Sequence, residues 1–321
     1  MQSDDAHEPE LYPARVAAFL GHRFKEEVQA VERIGHGEWS KAFTFRRADG
    51  LEYVARFSRL DEDFLKDRRA MSFASAALPV PRLVEIGEAL GGFYAISVRA
   101  HGEFAEHLDE AGMRRLLPAL FEMWDAARQV DLSSTSGYGL WAGDGNAPHN
   151  TWHDALRSVV VDAPTNRTYG WRQRLPESPI AMRAFESGYT EVEALVAGCP
   201  EERYLVHSDL LYFNLLVSGD RISSVLDWGS SMYGDFLWDL AWFTFWQPWY
   251  TAWSAVDFRA AALRHYADIG LSVPHFEERM RCYELCIGLD GMAYQAFAGR
   301  RTDLEWTARR LLGMLGEPIP R

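Results

Sequence analysis

Leu205-Val206-His207-Ser208-Asp209-Leu210-Leu211-Tyr212-Phe213-Asn214-Leu215-Leu216-Val217 runs through Ser218-Gly219-Asp220-Arg221 into Ile222-Ser223-Ser224-Val225-Leu226-Asp227-Trp228-Gly229. Two β-rich runs, near 214–217 and 222–226, flank a Ser-Gly-Asp turn, and this pattern predicts a β-hairpin. Pairing sets Asn214, at the start of one strand, beside Asp227, at the end of the other. Asp209 lies on the loop just before. Three oxygen-bearing side chains therefore converge on one point. Singly, each has a plainer reading, because Asp forms turns and Asn can open a strand. Both spacings together, with the hairpin, ask for a chemical one.

Phosphoryl transfer from a nucleoside triphosphate uses this set. A carboxylate orients the acceptor hydroxyl and takes its proton, while hard oxygen ligands hold Mg²⁺ against the phosphates. A kinase catalytic loop reads H-x-D-x-x-x-x-N, and a later D-F-G supplies the second Asp. His207, Asp209 and Asn214 keep the first spacing, and Asp227-Trp228-Gly229 stands where the triplet belongs. Asp209 is the expected general base, Asn214 and Asp227 the expected Mg²⁺ ligands, and His207 a support of the loop.

Toward the N-terminus, a short amphipathic helix at 13–24 precedes β-rich runs at 31–34, 42–46, 52–57 and 92–98. One helical stretch, about 64–77, stops at Leu78-Pro79-Val80-Pro81, where two prolines break it. Ile34-Gly35-His36-Gly37-Glu38-Trp39-Ser40 falls between two strands. Gly35 and Gly37 let backbone N–H groups approach phosphates and Ser40 adds a hydroxyl, although any tight hairpin produces the same G-x-G. Arg56 on the third run and Lys66 on the helix are the two candidates to grip phosphates, Arg56 through a planar fork. Asp67 is the carboxylate expected to pair with the basic residue. Backbone groups of Ser97, Val98 and Arg99 are expected to meet the adenine edge.

From about residue 103 the pattern is helical, at 109–127, 152–160, 179–196, 234–246, 255–269, 276–298 and 303–314, with a long loop at 133–150. The expected fold class is α+β and bilobal. A small antiparallel sheet lobe with one helix (1–99, with its leading helix) binds nucleotide. A larger, mainly helical lobe (100–321) carries catalysis and substrate, and the ligands sit in the cleft between them.

The 321 residues, 48% apolar and 25% charged, exclude disordered and collagen-like chains. A net charge of −13 repels phosphate backbones and anionic lipid, so neither nucleic acid nor membrane is an expected partner, whereas a cationic small molecule is. Cys199, Cys282 and Cys286 are too few for a disulfide framework and read as buried small hydrophobes in a reducing compartment. The acidic N-terminus is not a signal peptide, and the apolar run at 236–250 is shorter than the ~20 residues of a spanning helix. A cytoplasmic monomer is expected.

Residues 201–250 hold seven acids against two bases, and five of the 12 tryptophans. Aromatic walls with carboxylates suit a cationic sugar. Trp238 and Trp242 fit a buried helix stripe. Trp246 and Trp249 flank Gln247-Pro248, where the helix must end, and are candidates for a pocket mouth. Asp290 and Gln295 are further acceptor-side candidates, as is Asp235, whose other reading is a loop lock.

His207-Ser208-Asp209 with Asn214, Asp227-Trp228, Gly234-Asp235 and Asp239-Leu240-Ala241 together resemble the aminoglycoside phosphotransferases. Phe73-Ala74-Ser75-Ala76-Ala77-Leu78-Pro79-Val80-Pro81, Lys66-Asp67-Arg68, Thr151-Trp152, Phe245-Trp246-x-Pro248-Trp249 and Ile287-Gly288-Leu289-Asp290 resemble the hygromycin B phosphotransferases among them, over about residues 30–300. The resemblance implies a protein-kinase-like fold, ATP (or GTP) with Mg²⁺, and O-phosphorylation of a cationic aminoglycoside antibiotic. Hygromycin B, at its 4-hydroxyl, is the acceptor it implies. Another small alcohol or amino-alcohol is the alternative within the fold, and a non-catalytic nucleotide-binding module the alternative outside it. Two departures fall on the acceptor side. Phe213 stands where the closer group has a second Asn, and one residue is inserted between Asp290 and Tyr294-Gln295.

Overall fold

The computed structural model describes residues 11–35, 39–211 and 213–319. Helix α1 (Pro13–Phe24) leads into β1 (Gln29–Ile34), β2 (Lys41–Arg46) and β3 (Glu52–Ser58), followed by α2 (Glu62–Met71), β4 (Leu83–Ala89) and β5 (Gly92–Val98). The five strands form one antiparallel sheet in the order β1-β2-β3-β5-β4. Strict alternation along β3 buries Tyr53, Ala55 and Phe57 on one face. They pack with Phe43, Phe45, Tyr94 and Ile96 beneath Val16 and Leu20 of α1.

Helix α2 stops short of the two prolines, because the N–H groups of Ser72, Phe73 and Ala74 turn back onto the carbonyls of Arg69, Ala70 and Met71. Strand β4 escapes the sequence reading. Glu85, Gly87 and Glu88 break its apolar run, and it lies at the sheet edge with a register shift between Leu83 and Glu85.

Past Arg99 come β6 (Glu103–Phe104), α3 (Glu110–Arg128), β7 (Gly139–Leu140), α4 (Trp152–Arg157), α5 (Trp171–Arg174), α6 (Pro179–Leu195) and β8 (Tyr204–Val206). Then follow β9 (Leu215–Ser218), β10 (Arg221–Val225), β11 (Met232–Gly234), α7 (Leu237–Trp246), α8 (Phe258–Asp268), α9 (Phe276–Phe297) and α10 (Arg301–Leu315). Helix α9 is buried along most of its length because α6, α7 and α10 pack against it, and its buried side chains include the polar Arg279, Glu284 and Gln295. At Gly288 a Cβ would come within 2.7 Å of Leu311 and 2.8 Å of Phe245, so glycine sets how closely α9 lies on α7 and α10. The predicted hairpin is present as β9–β10, and β6 adds a third strand on the β9 side.

Helix α2 joins the two bodies: its Ala70 belongs to the large core, while its sheet neighbours close the small one. The three cysteines are buried and form no disulfide. Among the described residues no helix is long and apolar enough to cross a membrane.

Candidate active site

Strand β8 ends at Val206, and the chain turns through His207, Ser208 and Asp209. Asp239, in the first turn of α7, accepts the N–H of His207 (3.0 Å) with one oxygen and the N–H of Ser208 (2.8 Å) with the other. One carboxylate thus satisfies two consecutive buried donors and fixes Ser208 at a φ of 65°. His207 is buried; its Nδ1 accepts the Asp209 N–H (3.2 Å) and its Nε2 donates to the Leu226 carbonyl (2.8 Å). Those partners assign the tautomer. Burial pushes the imidazole down to about 4, so it is neutral near pH 7.

The Leu226 N–H donates to the Asn214 carbonyl (2.8 Å), which extends the β9–β10 ladder and leaves Asp227 one residue further on. Asn214 Nδ2 donates to the Asp209 carbonyl (2.8 Å) and to its carboxylate (3.2 Å). Asp227 is exposed at a φ of 53° and accepts the Gly229 N–H (3.3 Å). Asn214 and Asp227 line one cavity of about 330 Å³ between the lobes. Phe213, just ahead of Asn214, is held at a φ of 67°. For a residue with a side chain that conformation costs roughly 1–2 kcal/mol. Glu106 accepts its N–H at 2.7 Å, and such a charge-assisted bond contributes about 1.5–3 kcal/mol, enough to outweigh the strain.

Ser40, Arg56, Ser97, Val98 and Arg99 wall the same cavity from the small lobe. Gly35 turns at a φ of 66° beyond β1; Gly37 lies outside the described residues. The N–H groups of Val98 and Arg99 are committed to the carbonyls of Arg82 and Glu52 (2.9 Å each). Residues 100–102 line the cavity next to them.

Arg56 reaches the cavity and Lys66 does not. Arg56 pairs with Asp67, whose other oxygen accepts the Trp228 N–H (3.0 Å). Lys66, one residue earlier, leaves the helix on another face. Its Nζ donates to the carbonyls of Gly229 (2.6 Å) and Ser231 (3.2 Å), over the Trp141 ring. Burial pulls its pKa down to about 8. Lys66 ties the Asp227-Trp228-Gly229 turn to α2, which corrects its reading as a phosphate ligand.

On the acceptor side, burial lifts the Asp209 carboxyl well above the ordinary carboxylate range. Asp227 and Glu106 add to the lift, the Asn214 hydrogen bond opposes it, and Asp290 adds a further push. Asp290, exposed at its tip but crowded by protein around it, is itself pushed up to about 6 by burial. From the loop between α4 and α5, Arg167 reaches Asp63 of α2 in a two-point pair (2.7 and 2.8 Å), with its guanidinium 5.6 Å from the Trp39 ring centroid.

Other sequence candidates fall elsewhere. Asp235 is fully buried in a two-point pair with Arg279 (2.7 and 2.8 Å), and also accepts the Tyr283 hydroxyl and the Leu237 N–H. It is a loop lock and not an acceptor ligand. Trp246 is 3% exposed, packed against Phe245 and Gly291, so its stripe stays in the core. Trp249 is half-buried on Trp246 and Trp306. Gln295 is buried on α9 one turn past Gly291 and does not open on the cleft surface. Of the five acceptor-side candidates, Asp290 is the one brought within electrostatic reach of Asp209. Glu106 and Arg167 escape the sequence reading because a short turn and a loop carry no periodicity. The role of Asp239 escapes it too, although its motif was visible.

The model of the phosphotransferase enzyme family (APH) matches residues 30–277. Hygromycin-B 4-O-kinase of Escherichia coli is 33% identical over 304 residues, covering 94% of this chain and 85% of that protein. The crystal structure of aminoglycoside phosphotransferase APH(4)-Ia is 30% identical and superposes with a TM-score of 0.82, over 95% of this chain and 99% of that one. A thermostable mutant of it, in a ternary complex with AMP-PNP and hygromycin B, is 31% identical with a TM-score of 0.80, over 94% and 98% of the two chains. Similarity of this extent makes the two-lobed architecture a protein-kinase-like one, and the chain belongs to the phosphotransferase enzyme family.

Proposed function

We propose that this enzyme transfers the γ-phosphoryl group of ATP to a hydroxyl of a cationic aminoglycoside, hygromycin B at its 4-hydroxyl. The observation that carries this reading is the Asp209–Asn214 contact beside a nucleotide-sized cavity that Asn214 shares with Asp227. Similarity to a hygromycin-B 4-O-kinase and to a structure complexed with AMP-PNP and hygromycin B supports the choice of substrates.

Residues 1–99 supply the nucleotide lobe in this reading, with Ser40 and Arg56 toward the phosphates and the stretch after Ser97 toward the base. Residues 100–321 supply the catalytic lobe. Asp209 orients the acceptor hydroxyl and accepts its proton, and its raised proton affinity suits that task. Asp290, Glu106 and Asp227 surround it with negative charge, which favours ammonium groups on the acceptor.

Asn214 and Asp227 fit magnesium by their chemistry, since an amide oxygen and a carboxylate on one open wall leave room for phosphate and water ligands. Among the described residues no cluster of three His, Cys, Asp or Glu forms a closed protein cage. When bound, the ion neutralises phosphate charge.

ADP release measured with hygromycin B, kanamycin and choline tests the reading. The expected result is turnover with hygromycin B that falls by about 10²–10⁴ in Asp209→Ala while nucleotide binding persists. Turnover with choline but not with hygromycin B moves the enzyme to an amino-alcohol substrate. Full turnover in Asp209→Ala removes the base.

A further inference from the structure

We propose that Glu106 is a positioning residue of the catalytic loop, which fixes Asn214 against Asp209 by gripping the Phe213 backbone. The inference rests on the phosphoryl-transfer reading of this site and adds to it a group that no sequence motif marks.

Glu106 stands in a single 3₁₀ turn, Ala105–His107, directly after β6. Strand β6 pairs with β9, Glu103 opposite Val217 and Phe104 opposite Leu216. Backbone pairing thus places the turn beside the same strand that Asn214 begins. From there the Glu106 carboxylate accepts the Phe213 N–H at 2.7 Å. The two residues that bracket the acid in that segment grip the ring: Phe104 packs edge-on at 5.2 Å and His107 at 5.9 Å. One short segment therefore clamps Phe213 at its main chain and on its ring.

What the clamp holds is the residue before Asn214, in a left-handed conformation that an unsupported phenylalanine avoids. The next side chain makes the two contacts to Asp209. The remaining oxygen of Glu106 is buried and has no hydrogen-bond partner among the described residues. The side chain has given up water on that side and kept the one bond to the loop. Relaxation of Phe213 to an ordinary conformation turns the peptide that leads into Asn214, and so moves its amide away from Asp209.

The test compares Glu106→Gln, which retains an acceptor oxygen, with Glu106→Ala and Glu106→Ser, which withdraw it. Steady-state kinetics are run on the full chain with ATP and hygromycin B. Hydrogen exchange of the peptide spanning 207–216, and slow ATP hydrolysis to water, are measured without acceptor. The expected result is a kcat lower by about tenfold or more in the Ala variant, with the KM for ATP within about twofold. The Gln variant stays within about threefold of wild type, and exchange at Phe213 accelerates in Ala but not in Gln. Wild-type kcat in Glu106→Ala, or equal loss in Gln and Ala, overturns the proposal. If Glu106→Ala does not fold, the Ser and Gln pair decides by the same criteria. Should hygromycin B prove not to be the acceptor, exchange and hydrolysis to water still decide the role of Glu106.

Discussion

Asp67 shares its carboxylate between Arg56, its ion-pair partner across the small lobe, and the main-chain N–H of Trp228, 3.0 Å away. Strand β3, helix α2 and the triplet that begins with Asp227 are thereby locked to one another at the cavity wall. Asp227 lies within electrostatic reach of the same guanidinium. Arg56→Lys keeps the charge but loses the planar fork, so the KM for ATP is expected to rise by roughly tenfold with a smaller change in kcat. Asp67→Ala removes the partner of a largely buried guanidinium and orphans the Trp228 N–H. It is expected to cost about 3 kcal/mol or more, read as a shift of the urea midpoint. An Asp67→Ala protein as stable as wild type would deny the lock.

Asp239 holds the loop of His207, Ser208 and Asp209 in place. Asp239→Ala leaves the N–H groups of His207 and Ser208 buried without acceptors. Each such group costs about 1–3 kcal/mol, so a loss of about 2–6 kcal/mol in urea unfolding is expected. Because Asp209 follows directly, kcat should fall as well, while ADP affinity, which the proposed function assigns to the small lobe, should stay close to wild type. Unchanged kcat in a destabilised variant would make Asp239 a residue of stability alone.

Much of this was legible in the sequence. The hairpin and the spacing of His207, Asp209, Asn214 and Asp227 could be read because chain-local pairing fixes them. Helices α3, α6, α9 and α10 could be read because their apolar periodicity is long. Lys66 misled because i and i+1 on a helix diverge, and one sequence cannot say which of them faces the sheet. Asp235 and Trp246 misled for a related reason: acids and tryptophans near a loop look alike in sequence whether they turn inward to Arg279 or outward to a ligand. Glu106 and Arg167 act across long separations, from a turn and a loop, and only tertiary placement gives them partners.

His207 carries a pH signature. Its pKa falls from an ordinary value near 6.5 in the unfolded chain to about 4 in the folded one. The unfolded chain therefore binds the proton first as pH falls. The stabilisation is complete above pH ~6.5 and is lost progressively down to pH ~4, by about 3 kcal/mol in all. Asp239, pushed up to about 6, works in the opposite direction over much of the same range. The difference in unfolding free energy between wild type and His207→Asn isolates the imidazole. That difference should be constant above pH 6.5 and move in favour of the variant toward pH 4. A difference that stays flat across the range would mean that His207 is not held neutral.

Arg167 and Asp63 supply the last expectation. The pair crosses from the larger lobe to α2, and the guanidinium lies beside Trp39, next to Ser40 at the cavity wall. Its side chains are 32% and 15% exposed, so solvent screens part of the attraction, while the two-point geometry strengthens what is left. A double-mutant cycle with Arg167→Ala and Asp63→Ala is expected to give a coupling of about 1 kcal/mol in stability. The more telling readout is the nucleotide. With the cross-lobe tie cut, the segment around Trp39 loses its anchor, and ADP should dissociate several-fold faster in either single variant and no faster still in the double. Additive acceleration in the double variant would show that the two residues act on the nucleotide separately, and the tie between the lobes would lose its role.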